Sequence, residues 1–172
     1  MPPEPFMRVD ARLAAPSDVG ELLRMYDELA DEQRAIRPIW PHADGLAAPV
    51  EAAFGNLLER QDAVVVVGEI DGVAVGFLVG TEEPLLEPMD DQRIGFVRLV
   101  FTDHGARGVG VGAAMLELAM GRFAARGISL FDARVSPGHR MAKNFFESNG
   151  FKARSITMNR SDPADGEHGP RP

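Results

Sequence analysis

The spacing of apolar positions changes several times along the chain, and each change marks an element. Met7–Leu13 alternates weakly and predicts a first strand. Pro16, Ser17 and Asp18 are helix-start residues, with Glu21 placed for a capping box. Leu22, Leu23, Met25, Tyr26 and Leu29 then recur at helical spacing. Arg34–Pro49 is irregular and holds three prolines, Trp40 and His42, and Ala52–Arg60 predicts a second, short helix. Ala63–Ile70 is a continuous run rich in valine, Asp71-Gly72 is a two-residue turn, and Val73–Gly80 is apolar again, which together predict a hairpin. Thr81–Gln92 reads as an acidic, proline-containing loop, and Arg93–Thr102 as a third member of the same sheet. Val109–Arg126 predicts a helix that stops at Gly127. Ser129–Val135 predicts a strand with Phe131, Ala133 and Val135 on one face. His139–Ser148 predicts a helix closed by Asn149-Gly150, and Phe151–Arg160 one or two last strands.

A meander of strands leading into a strand–helix–strand unit makes a single α/β domain of the α+β kind. Its sheet is mixed and mostly antiparallel, with helices on both faces. The domain is expected over residues 7–160, with 1–6 and 161–172 as flexible tails rich in proline, glycine and charge. The 172 residues suffice for a core without disulfide or metal. The absence of cysteine excludes thiolate chemistry and Cys-ligated metals, and no metal site is expected. A formal charge of −8 argues against a general polyanion binder, so no nucleic-acid partner is expected. No signal peptide or spanning segment is legible, which reads as a cytoplasmic protein with no membrane partner.

The chemistry concentrates in the segment from Val100 to Ala113, which leaves a strand, passes Asp103, His104, Arg107, Gly108, Val109, Gly110, Val111 and Gly112, and opens a helix. Glycines there let backbone N–H groups close on a ligand, the helix start adds partial positive charge, and Arg107 adds a full one. This is a site for a phosphate or pyrophosphate. No Lys-Ser/Thr follows the glycines, which excludes a P-loop. Gly108-x-Gly110-x-x-Ala113 satisfies the short dinucleotide fingerprint, and Asp132 lies about where a ribose ligand is expected. The loop arrives too late in the chain for the further strand–helix units that fold needs, and that reading is rejected.

The sequence resembles the GNAT superfamily of acyl-CoA-dependent N-acyltransferases. Arg107-x-x-Gly110-x-Gly112 matches the family's pyrophosphate loop, and Val135, His139, Ala142, Phe145-Phe146 and Gly150-Phe151 match a second family motif. The resemblance implies splayed fourth and fifth strands, with the pantetheine arm of acetyl-CoA bonded to the backbone of Val100, Phe101 and Thr102. It places the pyrophosphate on Arg107, Gly108, Val109, Gly110, Val111 and Gly112, with His139, Ala142 and Phe145 beside the cofactor. It also implies acetyl transfer to a primary amine of a small molecule or peptide by direct attack. A homodimer is plausible for the family, though no feature of this chain signals one.

Two positions depart from the family pattern. Phe146 stands where many members carry a tyrosine acid, and Arg98 stands near the usual glutamate base. His139 is then a candidate to hydrogen-bond or protonate the sulfur, and Asp103, with His104, a candidate base. Arg98 reads either as an ion-pair partner of Asp132 or as a ligand for an acceptor carboxylate. Trp40, His42, Glu82, Glu83 and Glu87 are candidates to receive the amine. The alternative function is an acyl-CoA-binding module with little catalysis.

Overall fold

A computed structural model describes residues 7–36, 45–85, 92–136 and 138–158. The expectations for both tails, Trp40, His42 and Glu87 fall outside these residues. Five strands form one sheet in the order β1 (Val9–Leu13), β2 (Ala63–Ile70), β3 (Val73–Pro84), β4 (Arg93–Thr102) and β5 (Phe131–Ala133). Neighbours are antiparallel through β4, and β4 and β5 are parallel. Helices α1 (Val19–Ala35) and α2 (Val50–Glu59) cover one face; α3 (Val111–Ala124) and α4 (Arg140–Ser148) cover the other.

The run of valines in β2 is explained by burial on both faces. Val65 and Val67 join Leu22, Met25, Phe54 and Phe77 under α1 and α2, while Val64 and Val66 join Met115, Leu116 and Phe123 under α3. A strand covered on both sides loses the alternation that marks a half-exposed one. Tyr26, Phe54 and Phe77 meet edge to face, with ring centroids 6.0 and 5.9 Å apart. The Tyr26 hydroxyl accepts the Leu46 N–H at 2.8 Å, which ties the segment before α2 to α1.

The Asp71-Gly72 turn has φ of +50° and +80°, the type I′ geometry whose twist matches the flanking strands. Gly127 ends the α3 segment with φ of +83°, and the Ile128 N–H reaches back to the Phe123 carbonyl at 3.1 Å.

Four expectations need correction. The start of α1 is capped differently: a 3-10 turn over Pro16–Asp18 precedes it, and the Asp18 carboxylate reaches back to the Ala15 N–H at 2.7 Å. Glu21 instead pairs with Arg24. Thr81–Pro84 is strand rather than loop, because Glu82, Glu83 and Pro84 pair with Gly95, Ile94 and Arg93. α3 begins at Val111, two residues later than expected, because Gly108 and Gly110 hold φ of +80° and +102°, outside helical geometry. Residues 151–158 form no strand: Phe151 packs on Phe146, and Ile156 and Met158 then point to solvent.

α3 lies close on the sheet because Gly68 sits beneath it. A Cβ at Gly68 would stand 2.5 Å from Val111 Cγ1 and 2.8 Å from Met115 Sδ. Both neighbours are fully buried, so neither can step aside. Gly68→Ala is expected to destabilise the fold by about 1–3 kcal/mol, read from urea denaturation midpoints.

Candidate functional site

The site is built around the end of β4. The last β4–β5 pair is Val97 with Ala133, while β4 continues to Thr102 along β3. Beyond that pair β5 ends and β4 runs on with its outer edge unpaired among the described residues. The Asp103 N–H bonds the Val75 carbonyl at 2.8 Å, which makes that pair hydrogen-bonded. By the alternation of an antiparallel ladder, the polar backbone groups of Phe101 face β3, and those of Val100 and Thr102 face the opened edge. The expected backbone contacts of the pantetheine arm thus narrow to Val100 and Thr102. The Phe101 ring lies in the core under α1.

A bulge sits where the edge opens. Val79 pairs with Leu99 and Gly80 with Val97, which leaves Arg98 as the extra residue of β4. The bulge reverses the facing of the strand: Val97 packs under α3, whereas Leu99 and Phe101 pack under α1 and α2.

Past Thr102 the chain turns through Asp103 to Gly110 into α3. The first bond within the helix runs from the Ala114 N–H to the Gly110 carbonyl at 3.0 Å, so the N–H groups of Val111, Gly112 and Ala113 lie ahead of the ladder. No acidic residue occupies that first turn. Gly108, Val109 and Gly110 are exposed, and a Cβ on Gly108 or Gly110 would meet nothing within 4 Å. The turn is an open cradle of donors, suited to a diphosphate. Val111 is 1% exposed, so it offers the backbone alone. Gly112 serves packing: a Cβ there would stand 2.9 Å from the Phe145 ring. Ala142 and Phe145 are half-buried on α4, and Phe145, Phe146 and Phe151 form a string of edge-on rings. Phe146 is 5% exposed and is a core residue.

The charged groups meet on α1. Arg107 Nη2 donates to Glu32 Oε1 at 2.6 Å, and His104 Nε2 lies 2.8 Å from the same oxygen. Arg107 Nε donates to the Thr102 carbonyl at 2.8 Å, on the opened edge of β4. His139, at the start of α4, lies within electrostatic reach of both Glu32 and Arg107. Burial lowers its pKa from the usual 6.5; Glu32 opposes that shift and Arg107 adds to it. The imidazole is therefore neutral near pH 7. Its neutral form favours the folded state above about pH 6.5, and that contribution is lost as pH falls below it. Glu32 is the residue sequence reasoning missed. It lies 75 positions from Arg107, and nothing local distinguishes it from the other acids of its helix.

Asp103 is held by Arg24 of α1 at 3.4 Å, and its Oδ1 is buried without a partner among the described residues. The expected Arg98–Asp132 pair does not form. Asp132 takes Arg154 Nε at 2.8 Å, and Arg98 Nη1 lies 3.6 Å from Glu83. Glu82 points to the other face, to Arg93 and Arg126. Among the described residues no cluster of His, Asp and Glu could hold a metal ion, and no helix is long and apolar enough to cross a membrane.

A five-stranded sheet whose β4 runs on past its last pair with β5, with a glycine turn leading into α3, defines the class of fold. The model of the acetyltransferase (GNAT) family matches residues 22–151, and the chain belongs to that family. It is an acyltransferase. An uncharacterized N-acetyltransferase of Archaeoglobus fulgidus is 27% identical over 140 residues, covering 81% of this chain and 90% of that one. An L-2,4-diaminobutyric acid acetyltransferase of Nocardia farcinica is 29% identical over 132 residues, covering 75% of this chain and 64% of that one. Among solved structures, an aminoglycoside N-acetyltransferase in complex with CoA superposes with a TM-score of 0.74 at 16% identity, covering 92% of this chain and 97% of that one.

Proposed function

We propose that the protein transfers the acetyl group of acetyl-CoA to the amine of a small molecule by direct attack in a ternary complex. The observation that carries this is the edge of β4 beyond Val97, which ends at the donor-lined turn opening α3. Val100 and Thr102 turn their backbone groups to that edge and would bond the pantetheine arm in strand fashion. Arg107 and the N–H groups of the turn would hold the diphosphate. Arg107 reaches the Thr102 carbonyl and Glu32 through separate nitrogens, so a bound anion would draw the guanidinium away from both. His139, neutral and half-buried, would accept a proton from the amine directly or through water. The acceptors named for two similar proteins, a diaminobutyric acid and an aminoglycoside, are both amines.

Titration calorimetry with acetyl-CoA, followed by a thiol-release assay over a panel of small amines, tests the reading. One acetyl-CoA bound per chain, with CoA thiol released for some amine, is expected. Failure to bind acetyl-CoA would remove the donor, and binding without release on any amine would favour a module that only senses acyl-CoA.

A further inference from the structure

The face of the sheet under α1 and α2 carries a charge arrangement that acetyl-CoA binding does not use. Arg98 is the extra residue at the β4 bulge, next to the last β4–β5 pair, so it stands where the edge opens. Its guanidinium turns along the sheet toward the end of β3. There Nη1 lies 3.6 Å from Glu83 Oε1, beyond hydrogen-bond length, with the two side chains 34% and 32% exposed. A loose pair this exposed contributes little to stability, so holding the strands is not its main role. Among the described residues the Arg98 guanidinium makes no hydrogen bond, which leaves its planar fork of donors presented at the site.

The surroundings fix what that fork suits. Glu83 Oε1 accepts from Thr81 Oγ1 at 3.3 Å, and Thr81 is 2% exposed, so the carboxylate is anchored from below. Phe96 pairs with Thr81 across the strands, and the Arg134 guanidinium lies 4.9 Å over its ring. Arg98 and Glu83 therefore set one positive and one negative group side by side on this face. A purely cationic acceptor would meet Glu83 but be repelled by Arg98. A molecule with both charges would meet a partner for each.

We propose that the acceptor is a zwitterion, a small amine that also carries a carboxylate, with the carboxylate forked on Arg98 and the ammonium beside Glu83. This rests on the acetyl-CoA reading and narrows its acceptor. The transfer keeps its balance: the bound ammonium first loses one proton, through His139, to solvent; the amide N–C bond then forms as the thioester C–S bond breaks, and the second proton lost from nitrogen ends on the CoA thiol. Arginine and carboxylate match as two parallel hydrogen bonds, which gives orientation as well as affinity.

Matched amines that differ only by the carboxylate test this: L-ornithine against putrescine, and L-lysine against cadaverine. Acetyl-CoA binding is measured first by calorimetry, and then thiol release is measured with each amine, with affinity measured on the CoA-saturated protein. At least tenfold tighter binding of the carboxylate-bearing member is expected. Arg98→Gln should remove the preference, and Arg98→Lys, which keeps the charge without the fork, should reduce it several-fold. Equal binding within both pairs, or a preference that survives Arg98→Gln, would overturn this proposal while leaving the acetyl-CoA reading intact. Failure to bind acetyl-CoA would overturn both.

Discussion

Gly110→Asp is expected to weaken acetyl-CoA binding by at least about 100-fold in titration calorimetry. Two effects act together. The carboxylate would stand at the start of α3, where it would take up the free N–H groups and repel a diphosphate. The backbone at this position has φ of +102°, which a residue with a Cβ adopts only under strain of about 1–3 kcal/mol. Steric conflict within the protein is not the cause, because nothing lies within 4 Å of that Cβ. Gly110→Ala separates the two effects: it carries the same strain without the charge and should retain most of the affinity while losing thermal stability. Equal affinity in wild type and Gly110→Asp would remove the turn from the binding site.

The three glycines of the turn look alike in sequence and do different work in the structure. Gly108 and Gly110 supply positive φ in an open cradle, whereas Gly112 makes room for the Phe145 ring against α3. Spacing alone marks all three as ligand-binding, because it carries no information about which side of the backbone is crowded. The turn and pairing of the β2–β3 hairpin were legible, since Asp71-Gly72 has one favoured geometry, whereas the run of β3 past Gly80 to Pro84 and the register shift at Gly68 were not. The bulge at Arg98 was not. Val97, Leu99 and Phe101 fall two apart and read as one face, and only the pairing with β3 reveals the extra residue that turns Val97 to the opposite side. That same residue sits where the β4–β5 pairing ends, so the feature hidden from sequence patterning is the one that shapes the opened edge. Glu32 was invisible for a related reason: its meeting with Arg107 and His104 depends on how α1 lies across the end of β4. Local spacing records elements and turns, whereas groups joined across elements depend on packing.

His139→Ala is expected to lower turnover by about 100-fold, at the low end of what a positioned proton carrier contributes. The sign of the pH dependence follows from the site. Burial lowers the pKa of His139 below its usual 6.5, so the neutral, proton-accepting form prevails at neutral pH and is lost on acidification. In the wild type kcat/KM should fall as pH drops through a value below 6.5, and His139→Ala should abolish that acid limb. Glu32→Gln moves it instead of removing it. Glu32 is the group that favours the charged imidazole, so neutralising it should shift the limb to still lower pH. Its side chain also holds Arg107 at 2.6 Å, so the same variant should alter the KM for acetyl-CoA more than kcat. A proton carrier acting as an acid would give the opposite profile, with turnover rising as His139 became protonated. That outcome, or an acid limb unchanged in His139→Ala, would assign the proton transfer to another group, and Asp103, with one buried oxygen lacking a partner among the described residues, would be the next to substitute.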